Sequence, residues 1–281
     1  MRLLFVGDVV GRPGRRAVSR LLPELRRKYA IDLCVVNGEN AAGGRGINEQ
    51  CSRDLFQAGA DYITLGNHAF DNKEVYQLIE RDQRLIRPLN LPPGNPGFGH
   101  VSCPHKEGLV VVALLCGRVF MPPFDCPFRA VDELIERHEG ATKARFIIDF
   151  HAEATSEKLA FARYVDGRVA AAIGTHTHVP TADEQILPGG TAYVTDVGMT
   201  GPYDSVIGMR VESSLKRFMQ LHPVRFDVAR GDVRLAAVFV EIDWETGVST
   251  SIERLLLPVP LDQSSDEAEA ADSHDTHWSQ E

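Results

Sequence analysis

A chain of 281 residues, 43% of them hydrophobic, is large enough to bury a sizeable core as one α/β domain or two small ones. A formal net charge of -9, part of it from the acidic tail, argues against nucleic-acid binding by bulk electrostatics, which needs clustered Lys and Arg, and leaves only a local basic groove open. The five cysteines (Cys34, Cys51, Cys103, Cys116, Cys126) are scattered and never form a Cys-x-x-Cys pair, so free thiols in a reducing, cytoplasmic compartment are expected.

In chain order, residues 2 to 6 form a short apolar run bounded by Gly7, the pattern of a buried strand, with Asp8 at its carboxyl end. This run is too short for a signal-peptide hydrophobic region, and no later run approaches membrane-spanning length, so no membrane association is expected. Arg12-Pro13-Gly14 predicts a turn, and Arg15 to Tyr29 places apolar residues at helical spacing. A strand at Leu33 to Val36 runs into Gly38-Glu39-Asn40. After a helix over Asn48 to Ala58, a strand at Tyr62 to Leu65 runs into Gly66-Asn67-His68, and a helix comes next over Lys73 to Arg81. Leu91 to His105 reads as a long Pro- and Gly-rich surface loop, and Leu109 to Leu115 as a strand. Gly117 to Pro127, with Phe120, Met121 and Phe124 among prolines, reads as a cover for the core, an apolar wall beside a site, or a contact between subunits of a homo-oligomer. A helix over Ala130 to His138 and a strand at Ala144 to Asp149 lead to His151. After a helix from Thr155, a strand at Val169 to Ile173 precedes His176 and His178. Thr191 to Asp196 reads as a strand, residues 200–225 as a small cap or oligomer contact, and Arg234 to Trp244 with Val248 to Leu257 as a hairpin. The domain is expected to span residues 1–260. Residues 261–281, rich in Ser, Asp, Glu and Ala, read as an acidic disordered tail.

This β-α-β-α-β order places polar residues at strand carboxyl ends, where α/β sheets carry their sites. The glycine-rich turns lack the spacing of a dinucleotide fingerprint or a P-loop. His176 and His178, one residue apart in an extended chain, would face the same way. Taken with Asp8, Glu39, Asn40, Asn67, His68 and His151, they form a carboxylate, amide and imidazole set of the kind that binds iron, manganese or zinc. One ion needs three or four such ligands, so this many points to two ions. Two ions about 3.5–4 Å apart suit phosphoester hydrolysis, with a histidine to protonate the leaving oxygen. Taken singly, Asn40 and Asn67 also fit turns, Asp8 a helix N-cap, His68 a ligand-orienting residue and His151 a core histidine. His100, His105, His138 and His222 read as structural or solvated. Arg12, Arg45 and Arg118 are phosphate-binding candidates for which surface solvation is the simpler role.

The ordered runs Gly7-Asp8, Gly38-Glu39-Asn40, Gly66-Asn67-His68, the isolated His151 and Gly174-Thr175-His176-Thr177-His178 resemble the motifs of calcineurin-like metallophosphoesterases. More narrowly, Gly7 to Gly11, Asn37 to Gly44, Gly66 to Asp71, Asp149 to Lys158 and Asp196 to Pro202 resemble the YmdB-like bacterial branch, over about residues 1–258. The chain departs from the wider superfamily where Val10 stands in place of a ligating histidine and Glu39 in place of a bridging Asp. The resemblance implies that Asn40 fills the vacancy left by Val10. It implies one metal held by Asp8, Glu39, Asn40 and His178, a second by Glu39, Asn67, His151 and His176, and His68 as proton donor. It further implies a four-layer αββα sandwich, two mixed sheets flanked by helices, and a phosphodiesterase acting on 2′,3′- or 3′,5′-cyclic nucleotides. A phosphomonoesterase, and a regulatory protein with an RNA or RNA-processing partner, are the alternative readings.

Overall fold

The computed structural model describes residues 1–106, 108–140, 143–220 and 223–260. The first sheet is assembled from β1 (Arg2–Val6), β2 (Leu33–Asn37), β3 (Tyr62–Thr64) and β4 (Leu85–Ile86), which pair in parallel in that order. They are separated by α1 (Gly11–Lys28), α2 (Glu49–Ala58) and α3 (Val75–Arg81). The second sheet takes up the chain with β5 (His100–His105) and β6 (Gly108–Cys116), an antiparallel pair. It continues through α4 (Pro127–Glu136) to β7 (Ala144–His151), and through α5 (Thr155–Val165) to β8 (Ala171–Thr175). β9 (Gln185–Ile186) and β10 (Ala192–Val194) complete it in the order β5-β6-β7-β8-β10-β9. The chain then returns to the first sheet through β11 (Gly201–Pro202), α6 (Val211–Gln220), β12 (Val233–Ile242) and β13 (Ser249–Pro258). β12 pairs antiparallel with β1 and β11 on one edge and with β13 on the other.

The central strands β1, β6 and β8 are almost continuously apolar because both faces of their sheets are covered there. Side chains alternate: Leu3 and Phe5 of β1 face the other sheet, whereas Leu4 and Val6 face the helices of their own side. In β6, Val110, Val112 and Leu114 enter the inter-sheet core, while Val111, Ala113 and Leu115 pack with residues of α4 and α5. Three apolar layers thus separate four layers of secondary structure, as an αββα sandwich requires. The carboxyl ends of β1, β2 and β3 open on the same region as those of β7 and β8.

Several local expectations are corrected. α1 begins at Gly11, so Arg12-Pro13-Gly14 is its first turn; Pro is tolerated there because those amides have no intrahelical acceptor. Gly14 is required for a close approach and not for a turn: a Cβ there would lie 2.3 Å from the Thr200 carbonyl oxygen. The loop expected over residues 91–105 includes β5, whose edge position accommodates Pro104. Asn48 is the N-cap of α2, accepting a 2.8 Å bond from the Cys51 amide. In the segment at residues 117–127, Phe124 is buried and Met121 packs on the inter-sheet core, whereas Phe120 is exposed. All five cysteines are free. Among the described residues no helix is long and apolar enough to cross a membrane. The tail at 261–281, with His274 and His277, and His222 lie outside the described residues.

Candidate metal centre

The carboxyl ends of both sheets bring together all eight residues singled out from the sequence. Asp8 follows β1, Glu39 and Asn40 follow β2, and Asn67 and His68 follow β3. From the second sheet, His151 ends β7, and His176 and His178 follow β8. Asp8, Glu39, Asn40 and His151 are buried. Val10, where the superfamily carries a histidine, is buried against Gly201 and Gly208.

His151 is the point of convergence. Its Nε2 lies 2.9 Å from Asn67 Oδ1, 3.1 Å from Glu39 Oε1 and 3.0 Å from His176 Nδ1. Its Nδ1 lies 2.8 Å from Thr175 Oγ1, and that hydroxyl donates to Asp149 Oδ1 at 2.6 Å. The Thr175 proton is therefore committed, so Nδ1 of His151 must be the donor to Thr175 and Nε2 is the nitrogen presented to the centre. Asp149 also accepts from Thr64 and Asn37, which ties both sheets to this one carboxylate.

On the other side of Glu39, Asn40 Nδ2 stands 3.2 Å from Glu39 Oε1 and 3.1 Å from His178 Nε2. His178 Nδ1 donates to the Ile207 carbonyl at 2.9 Å, which again leaves Nε2 facing inward, 3.9 Å from Asp8 Oδ1. A ligand role for Asn40 uses its oxygen, which half a turn of the amide exchanges with the nitrogen.

The expected extended geometry of the histidine pair is not what aims them. His176 and His178 lie beyond the end of β8 with φ of 101° and 65°, both in the left-handed region that non-glycine residues rarely adopt. Asp8 does not cap α1; the residue at that cap is Val10, with no side-chain bond, and Asp8 Oδ2 accepts from the His176 amide at 3.3 Å.

The electrostatics stem from burial and from neighbours. Burial pushes the Asp8 carboxyl up to about 6, against the opposing pull of His178 and His151. Burial also opposes ionisation of Glu39, but His151 and the His68 amide hold it well below the usual carboxylate range. Burial would discharge His151, yet Glu39 beside it raises its pKa to about 9. His176, partly buried and next to His151, is lowered to about 3 by desolvation and by that neighbour.

These residues fit a cation. The ligand atoms of Glu39, His151 and His176 lie within 4.8 Å of one another, and Asp8 Oδ1 is buried with no hydrogen-bond partner. A Cβ at Gly66 would sit 2.4 Å from both Glu39 Oε2 and His151 Nε2, so glycine keeps this space open.

His68 stands at the rim, its side chain partly exposed, with Nδ1 2.7 Å from Asp71 Oδ2, and Arg45 pairs with the same carboxylate. Among the other arginines weighed, Arg12 and Arg118 are exposed. His138 bonds Ser102 and the Leu134 carbonyl, away from the centre. The sequence assigned no role to Asp71, Asp149, Thr175, Lys158 or Asp196, nor to Glu153, whose Oε2 lies 3.1 Å from His176 Nε2. Each lies within a run that carries the family resemblance, which marks the stretch but assigns these residues no role.

Two mixed sheets, helices on both outer faces and this oxygen and nitrogen cluster at the strand ends define a phosphoester hydrolase of the metallophosphoesterase class. The same fold is found in the NAD nucleotidase of Haemophilus influenzae, at a TM-score of 0.56 and 14% identity, over 92% of this chain and 56% of that one. The chain belongs to the YmdB-like family, whose family model, described as YmdB-like protein, matches residues 4–255. It is 52% identical over 260 residues to the 2′,3′-cyclic-nucleotide 2′-phosphodiesterase of Bacillus subtilis (strain 168), covering 92% of this chain and 97% of the relative. The crystal structure of a novel phosphatase from Mycoplasma pneumoniae superposes with a TM-score of 0.87 at 37% identity, over 92% of this chain and 93% of that one.

Proposed function

We propose that the chain hydrolyses 2′,3′-cyclic nucleoside monophosphates at a two-metal centre. The observation that carries this reading is the convergence of Asn67, Glu39 and His176 on His151 Nε2, beside the unpartnered oxygen of Asp8. Glu39, Asn67, His151 and His176 would hold one ion, and Asp8, Glu39, Asn40 and His178 the other, with Glu39 shared. Iron, manganese and zinc all suit this donor set. Ions bound there supply Lewis-acid charge to the phosphodiester and lower the pKa of a water.

Opening the cyclic ester adds water across one P–O bond: hydroxide goes to phosphorus and a proton to the departing ribose oxygen. His68 would supply that proton from Nε2, its Nδ1 being engaged by Asp71. Glu39, by accepting the His68 backbone amide at 3.0 Å, fixes the donor's position relative to the ligands. The relative named as a 2′-phosphodiesterase supports the 2′,3′-cyclic substrate over the 3′,5′-cyclic one.

The test is turnover of 2′,3′-cyclic AMP, 3′,5′-cyclic AMP and 3′-AMP by metal-reconstituted protein, with Glu39→Ala and His68→Ala in parallel. The 2′,3′-cyclic diester should be the preferred substrate. Glu39→Ala should lose metal and activity together, and His68→Ala should keep its metal while turnover falls by about 10²–10⁴. A wild type that binds two ions yet leaves the cyclic diester intact would overturn the substrate assignment.

A further inference from the structure

Lys158 of α5 is a fully buried lysine with no part in the chemistry above. Its Nζ donates to the Thr175 carbonyl and to Asp196 Oδ2, each at 2.7 Å. Asp196, also fully buried, accepts the Thr177 amide at 3.0 Å on that same oxygen and the Gly198 amide at 2.9 Å on Oδ1. The carbonyl before His176 and the amide between the two histidines are thus anchored to one ion pair. This is the stretch in which His176 and His178 take up left-handed backbone. Such conformations are strained for a non-glycine residue and persist only where the surroundings over-determine them. A buried ion pair is a poor source of net stability, because desolvation offsets its attraction. Its directional bonds can nonetheless dictate a backbone path that apolar packing would leave free.

We infer that the Lys158–Asp196 pair is a positioning device, clamping the backbone from Thr175 to His178 so that both imidazoles reach the centre. The inference rests on the reading of that centre as a metal site. α5 starts directly after the β7 segment that ends at His151, so the clamp is built from the element adjoining a third ligand. With the pair in place, the loop is set before any cation arrives, and binding need not also order it.

The discriminating variant is Lys158→Met/Asp196→Asn, which removes both charges while nearly conserving shape, studied beside the two single variants. Mn²⁺ titration of the metal-free proteins and metal content after gel filtration are the readouts, with thermal unfolding as the control for folding. The double variant should unfold cooperatively near the wild-type temperature and bind Mn²⁺ about 10- to 100-fold more weakly, the usual effect of losing a group that orients a ligand. A folded double variant with wild-type Mn²⁺ affinity overturns the positioning role. A wild type that binds no Mn²⁺ overturns the metal reading and this inference with it. Should the variants fail to fold, hydrogen exchange of the Thr177 amide in metal-free wild type decides. Protection like that of β8 amides supports a preset loop, and exchange at the rate of exposed loops overturns it.

Discussion

Asp71 shows how much of this site depends on a residue that touches no candidate ligand. Its carboxylate lies 2.7 Å from His68 Nδ1 and pairs with Arg45, and the contact holds Asp71 below the ordinary carboxylate range. An anion at Nδ1 fixes the imidazole tautomer and ring orientation, and so determines which nitrogen can deliver a proton. Asp71→Asn keeps the shape but loses that control. Turnover of 2′,3′-cyclic AMP should fall by about 10- to 100-fold with metal content unchanged, and undiminished turnover would show that His68 needs no orienting anion. The ligand candidates themselves were legible because they occur as short ordered runs. Thr175, Asp149, Lys158 and Asp196 lie in the same family-like runs, but their roles were not legible, because a side chain that holds a neighbour in place shows no role until the fold supplies its partner. The left-handed backbone of His176 and His178 was equally hidden, since histidine gives no hint of it as glycine would.

At the scale of elements, the strand ends matter more than the strands. β3 is short, and just beyond it Gly66 lacks a side chain, which leaves room between Glu39 and His151. Gly66→Ala should therefore yield a folded protein, with unchanged far-ultraviolet circular dichroism, whose Mn²⁺ affinity falls by about 100-fold or more, an effect read by calorimetric titration. Wild-type affinity in this variant would mean that the ligands can part without loss. Elements with long apolar runs or clear helical periodicity, such as β1, β6 and α2, were readable from sequence. β4 and β11 were too short to carry a pattern. β5 was masked by its proline and flanking glycines, and the start of α1 by residues that more often make turns.

For the molecule as a whole, protons and cations compete for the same centre. In the metal-free protein Asp8 keeps its proton up to about pH 6 and His151 keeps its own up to about pH 9. Metal ligation requires both to be lost, so affinity must rise with pH. Between pH 6 and 9 filling the centre should release about one proton in all, from His151, and below pH 6 a second, from Asp8. Calorimetry in buffers of different ionisation enthalpy reads this directly, and pH-independent Mn²⁺ binding from pH 5 to 8 would contradict it. Length and apolar content left one α/β domain or two small ones open, the α/β class came from the alternating strands and helices, and the division into two stacked sheets came only from the family resemblance. Periodicity shows that a strand is buried on both faces but not which sheet it joins.

The centre draws Asp8, Glu39, Asn40, Asn67 and His68 from one sheet and His151, His176 and His178 from the other, with Glu39 and His151 meeting across the divide. A cation held between them is a rivet through the sandwich. The apolar layer beneath it then works as a spacer whose thickness sets the gap across which the two half-sites must meet. A change of a single methylene at Phe5, Val112 or Val238, in the layer between the sheets, should therefore shift one half-site against the other.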